Sequence, residues 1–232
     1  MNDDPSIETF DTPDAWVLAA AAVISEQLRQ AIAGGLRASF VATGGATPAP
    51  VYRRLGHTAL DWSRVAVTLS DERWVDPASP ESNERMVRET LLDGLAAAAG
   101  FTPLWSADGG PERAAAAAEP AIAALEPFDV ALLGMGEDGH VASLFPGSPA
   151  LAQGLDPDGG RLCIAVPAGS PAPSQPRISL TLAALLRARL VVLLISGEAK
   201  RRTLQSALDG ADLPVRALLA QRRAPVRILC SA

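Results

Sequence analysis

Residues 128–148, FDVALLGMGEDGHVASLFPGS, pass from an apolar run into a glycine-rich loop that carries His140, one of only two histidines in the chain. Gly134, Gly136 and Gly139 satisfy the spacing G-x-G-x-x-G. In a dinucleotide-binding unit those glycines would open a long helix, with an acidic residue about 20 positions on closing a second strand. Here Pro146 and Gly147 arrive within eight residues of Gly139, and the acids nearest the required distance, Asp156 and Asp158, sit in the loop sequence GLDPDGG. The stretch therefore reads as a strand followed by a functional loop. Asp138, two residues before His140, is placed to orient the imidazole as a general base.

Six further apolar runs resemble the one that ends at Gly134: ASFVAT, RVAVTLS, RLCIAVP, RISLTL, RLVVLLIS and VRILCS. Helical patterns lie between the runs, at PDAWVLAAAAVISEQLRQAIA, PAPVYRRL, SNERMVRETLLDGLAAAA, PERAAAAAEPAIAALE and GEAKRRTLQSALDG. Alternating strands and helices, with strands apolar on both faces, predict an α/β protein: three αβα layers around a mostly parallel, Rossmann-like sheet. Only residues 147–162 and 168–176 read as substantial loops, and neither is long or polar enough for an interdomain linker. One domain over residues 1–232 is expected.

A net charge of -6 and a pI near 5.0 leave no basic footprint for nucleic acid or anionic lipid. The acidic start MNDDPSIETFDTPD lacks the features of a signal peptide, and AWVLAAAAVI is too short to span a bilayer. A soluble, cytoplasmic protein is expected, without nucleic acid or membrane as partner. Cys163 and Cys230 lie in apolar runs without a C-x-x-C or a nearby histidine, which reads as two buried thiols. No metal site and no cofactor are expected. The oligomeric state is open, with a monomer favoured.

Ligands of open α/β sheets bind beyond the carboxyl ends of the strands, so the residues after each run carry the chemistry. In FVATGGATPAPVY, Gly44 and Gly45 precede a helix that Thr47 would cap and Pro48 would start, an arrangement suited to a phosphate. In VTLSDERW a strand ends in Asp71, Glu72 and Arg73, and Asn83 further on could simply cap the next helix. Arg177 opens RISLTL. Lys200, the only lysine among 20 basic residues, falls in the first turn of a helix after LLISGE. A cation there opposes the helix dipole unless an anion is nearby.

Taken in order, ATGGATP, SDERWV with SNERMVRETLL, LLGMGEDGHVASLFPGS, and RISLTL with SGEAK resemble the 6-phosphogluconolactonases over nearly the whole chain. That family is similar in fold to glucosamine-6-phosphate deaminases and ribose-5-phosphate isomerases. The resemblance implies hydrolysis of 6-phospho-D-glucono-1,5-lactone to 6-phosphogluconate in the pentose phosphate pathway, with a small sugar phosphate as the partner. It implies a phosphate held by Gly44, Gly45, Thr47, Arg177 and Lys200. His140 would activate water, with Asp138 beside it and Asp71 and Arg73 at the reacting end. GHVASLFP favours the lactonases over the deaminases, which continue from D-G-H toward Phe-Asn-Glu-Pro. The family loop commonly reads Ser-Gly-Gly-Ser where this chain has Thr43 and Ala46. A deaminase-like enzyme and a noncatalytic sugar-phosphate-binding protein are the alternatives.

Overall fold

The computed structural model describes residues 5–35, 37–107, 109–169 and 173–231. Ten strands run in chain order as β1 (Ser6–Phe10), β2 (Ala38–Ala42), β3 (Val65–Leu69), β4 (Asp71–Arg73), β5 (Gly100–Phe101), β6 (Val130–Gly134), β7 (Cys163–Val166), β8 (Arg177–Leu180), β9 (Val191–Ser196) and β10 (Val226–Ser231). The helices are α1 (Pro13–Ala33), α2 (Ala49–Gly56), α3 (Asn83–Thr90), α4 (Gly110–Ala123), α5 (Leu151–Leu155), α6 (Leu182–Leu185), α7 (Glu198–Leu208) and α8 (Pro214–Ala220).

Seven strands form a parallel sheet in the order β1-β10-β9-β6-β2-β3-β5. β2 and β3 are buried along their whole length, which explains why both read as unbroken apolar runs. Helix α1 begins where Thr12 Oγ1 accepts the Ala15 N–H at 3.2 Å, followed by Pro13 and an acid, Asp14, in the first turn. It buries Trp16, Ala20, Ile24 and Leu28, a stripe with helical period, and Trp16 Nε1 donates to the Leu229 carbonyl of β10 at 2.9 Å. Among the described residues no helix is long and apolar enough to cross a membrane.

Chain order fixes where a ligand can sit. From β2 the chain moves outward to β3 and β5, then returns to β6 on the other side of β2 and moves outward again through β9 and β10. The sheet order therefore reverses between β2 and β6, and the crevice beyond their carboxyl ends is the expected binding position.

Two of the seven apolar runs do not join this sheet. β7 and β8 pair antiparallel with each other, and β8 pairs antiparallel with β4, forming a separate three-stranded sheet. In that register Asp71 stands opposite Ser179, Glu72 opposite Ile178, and Arg73 opposite Arg177. The period of two puts Asp71, Arg73, Arg177 and Ser179 on one face and Glu72 on the other. β1, β4, β5, α6 and α8 went unread in the sequence, and the stretch taken as a loop at residues 147–162 contains α5. The second predicted loop, at 168–176, includes residues 170–172, which lie outside the described residues.

Glu72 anchors the turn from β4 into α3. Its Oε1 accepts the N–H groups of Arg73 and Asn83 at 2.7 Å each, and its Oε2 accepts Glu84 N–H at 2.7 Å and Ser82 Oγ–H at 3.0 Å. Burial pushes this carboxyl above the usual range, and the four donors oppose the shift. A carboxylate at a helix N-terminus also complements the dipole. An amide offers one acceptor oxygen where two are used, so Glu72→Gln should cost about 1–3 kcal/mol through buried donors left unpaired. A urea midpoint lowered at unchanged slope would show it; an unchanged midpoint would mean the four bonds add nothing to stability.

Candidate active site

At the reversal point lies a cleft of about 360 Å³, lined by the Thr43–Pro48 loop after β2, Asp71 and Arg73 of β4, Asn83, the Gly134–Gly136 turn after β6, His140, Ala142, Arg177 and Lys200. Eight of the nine residues singled out in the sequence are in this lining, and Asp138 stands behind His140. Among the described residues the lining holds no serine or cysteine side chain.

The loop after β6 is built around glycine. His140 Nδ1 lies 2.6 Å from Asp138 Oδ1, and the His140 N–H reaches the same oxygen at 3.2 Å. With Nδ1–H as the donor to the carboxylate, Nε2 is left as the acceptor. Burial raises the Asp138 carboxyl, but the hydrogen bond and the charge of His140 outweigh it and hold the group below its ordinary value. The imidazole packs at 4.3 Å against the Phe145 ring. A Cβ on Gly136 would lie 2.2 Å from His140 Nδ1 and 2.5 Å from Asp138 Oδ1, so only glycine leaves room for the pair. Gly139 takes φ +80°, a conformation that favours glycine.

On the opposite wall, Tyr52 fixes the base of the Gly44 loop: its hydroxyl accepts Thr43 N–H at 2.7 Å and donates to the Thr43 carbonyl at 2.8 Å. Burial raises the phenol's pKa, which keeps it protonated for both bonds. Among the described residues the N–H groups of Gly44, Gly45 and Ala46 have no protein acceptor. Thr47 is not the cap expected from the sequence. Pro48 occupies the N-cap without a side-chain bond, and the Thr47 hydroxyl is left unpaired among the described residues. Thr43 Oγ1 lies 3.2 Å from Ser70 Oγ, whose one proton goes to Asp71 Oδ1, so the Thr43 hydroxyl is the donor and the threonine at the usual serine position is turned to the fold.

Three cations converge here. Arg177 is largely buried, with Nη1 3.7 Å from Asp71 Oδ2, its guanidinium 5.4 Å from the Phe145 ring, and Nε buried without a partner among the described residues. Burial lowers its pKa, Asp71 opposes this and the facing Arg73 adds to it. Asp71 is itself committed: Oδ1 accepts from Ser70 Oγ at 2.8 Å and Oδ2 from Ser143 Oγ at 2.6 Å. Arg73 Nη1 donates at 2.7 Å to both Asn83 Oδ1 and the Glu81 carbonyl. Lys200 sits in the first turn of α7 with no ion-pair partner among the described residues, while Glu198 at the start of that helix pairs with Arg201 and Arg202.

Asn83 is not the helix cap the sequence allowed. Ser82 caps α3, accepting Arg85 N–H at 3.1 Å, and the Asn83 side chain turns inward. Among the described residues no group of three or more His, Cys, Asp or Glu side chains is arranged to hold a metal ion. Both cysteines are buried, and burial pushes the Cys163 thiol up to about 12.

This fold and cleft belong to a class of sugar-phosphate enzymes. The family model described as glucosamine-6-phosphate isomerases/6-phosphogluconolactonase matches residues 11–227, and the chain belongs to that family. It is 49% identical over 223 residues to a 6-phosphogluconolactonase of Caulobacter vibrioides, covering 96% of each chain. The crystal structure of a 6-phosphogluconolactonase from Shewanella baltica OS155 superposes with a TM-score of 0.93 at 39% identity over 100% of both chains. A monomeric glucosamine-6-phosphate deaminase, 18% identical with a TM-score of 0.81 over 97% of each chain, shares the fold.

The Gly136 contact yields a direct test. Gly136→Ala should part His140 from Asp138, and the Asp138 carboxyl, followed by carbon NMR through an acid titration, should return toward the ordinary ~3.9. A carboxyl that titrates as low in the variant as in the wild type would show that the pair does not depend on the glycine.

Proposed function

We propose that the cleft hydrolyses 6-phospho-D-glucono-1,5-lactone to 6-phospho-D-gluconate. The observation that carries this is the pairing, in one crevice, of an Asp138-oriented imidazole with an anion-binding wall of Arg177, Lys200 and the unpaired N–H groups of the Gly44 loop. The family and its relatives named 6-phosphogluconolactonase support the choice of substrate.

A sugar δ-lactone is an activated ester, and among the described residues the lining offers no serine or cysteine nucleophile, so water is the attacking group. His140 Nε2 takes a proton from water as its oxygen bonds to C1. Asp138 steadies the imidazolium through Nδ1–H. Arg73 stands at the carbonyl end to meet the developing oxyanion, which gains most from preorganised donors. The C1–ring oxygen bond then breaks, and the imidazolium returns the proton to that oxygen, which leaves as the C5 hydroxyl. The 6-phosphate lies on the Gly44, Gly45 and Thr47 loop, with Arg177 and Lys200 neutralising it. Asp71 serves by holding Arg177 in place, since both its oxygens are engaged.

His140→Ala should lower kcat by about 10²-fold or more with KM little changed, because proton transfer acts in the transition state. Near-normal turnover in the variant would assign the base elsewhere.

Lys200→Gln removes one charge-assisted contact, a loss of about 10- to 150-fold, expected mainly in KM. Unphosphorylated gluconolactone never makes that contact, so both proteins should hydrolyse it poorly and alike. Equal losses on the two lactones would move the phosphate from Lys200.

A further inference from the structure

We infer that Asn83 is a positioning residue that couples the phosphate loop to Arg73, so that seating the substrate's phosphate aligns the group facing the reacting carbonyl. The inference rests on the lactonase reading above and adds a device for using phosphate binding energy in catalysis.

The Asn83 side chain is 1% exposed, and every polar atom on it is committed. Oδ1 accepts Arg73 Nη1–H at 2.7 Å, and Nδ2 donates to the Asp71 carbonyl at 2.8 Å. Its own N–H is fixed by Glu72 Oε1 at 2.7 Å. The same amide group is pressed against the phosphate loop: a Cβ on Gly44 would fall 1.9 Å from Asn83 Oδ1 and 2.2 Å from Cγ. One oxygen therefore touches the backbone of the loop proposed to hold the phosphate and accepts from the arginine proposed to meet the oxyanion.

Among the described residues no other acceptor of the Arg73 guanidinium reaches that loop: the second, the Glu81 carbonyl, lies on the turn before α3. A shift of Gly44 must push on the Asn83 amide, and that amide cannot rotate without losing its bonds to both Arg73 and Asp71. Close packing transmits such displacements. Binding energy from a nonreacting part of a substrate raises kcat only if it improves the arrangement at the reacting centre, and small errors of placement there cost about 10²-fold.

The test compares phosphorylated and unphosphorylated δ-gluconolactone on the wild type, Asn83→Ala, Arg73→Met and the double variant. In the wild type the phosphate should raise kcat as well as lower KM. Asn83→Ala should lower kcat on the phosphorylated lactone by about 10- to 10²-fold with little change in KM, and the kcat ratio of the two lactones should fall toward one. In the Arg73→Met background, Asn83→Ala should cost almost nothing further, because the two residues act as a unit. Asn83→Ser, too short to touch Gly44, carries the same comparison if the alanine variant does not fold.

Equal losses on both lactones, or losses that add to those of Arg73→Met, would make Asn83 a fold residue only and overturn the coupling. A wild type in which the phosphate lowers KM and leaves kcat unchanged would overturn it as well. Failure of the lactonase reading itself looks different: the wild type would not exceed the spontaneous rate on either lactone.

Discussion

Arg73 and Arg177 face each other across the β4–β8 ladder, and like charges directly opposite on a sheet repel. Much of the local structure answers that constraint. Asp71, two residues before Arg73 on the same face, sits 3.7 Å from Arg177 and is itself pinned by Ser70 and Ser143. Arg73 is drawn aside by Asn83 and the Glu81 carbonyl, while Arg177 lies over Phe145 with its Nε buried and unpaired among the described residues. With Lys200 completing the set, the cleft carries an excess of positive charge that an anionic ligand would offset. The small antiparallel sheet thus acts as a mount that sets two guanidinium groups at the mouth of the parallel sheet.

The parallel sheet supplies the rest of the site through its reversal between β2 and β6. One loop from each strand meets there: the glycine loop with its unpaired N–H groups from β2, and the Asp138–His140 pair from β6. The proposed phosphate grip and proton transfer would therefore fall on separate strands, with Lys200 added from the helix that follows a third, β9. Such a division leaves Asn83, lodged between the β2 loop and β4, as the side chain through which the two ends can communicate.

Much of this was legible in the sequence because the signals are local. Helix α1 carries a cap, a proline, an apolar stripe and a trailing glycine, and its predicted bounds match the structure. The chemistry-bearing residues stood out because charges and glycines directly follow apolar runs. Strand direction was not legible: RLCIAVP and RISLTL are as apolar as the central strands, and nothing in their composition says that they pair antiparallel with each other, or that RISLTL pairs antiparallel with the DER triplet. β1 escaped notice because it is an exposed edge strand of mixed character, and β5 because two residues carry no period. Tyr52 and Ser143 were missed, and Asn83 was read as a possible helix cap, for a common reason. Each acts through a partner distant in the chain or through the backbone of another loop, and a sequence shows only the neighbour along the chain. The Thr47 cap was overcalled because capping chemistry and phosphate chemistry favour the same residues at a helix start.

On the proposed reading, one cleft both recognises a phosphate and delivers water to a lactone carbonyl. The most direct measurement generates 6-phospho-D-glucono-1,5-lactone in situ, follows its disappearance with and without the protein, and repeats the comparison on the unphosphorylated lactone. Hydrolysis well above the spontaneous rate is expected for the phosphorylated lactone, with a much smaller acceleration for the other. A well-folded protein that leaves the spontaneous rate unchanged, or accelerates both lactones alike, would contradict that reading.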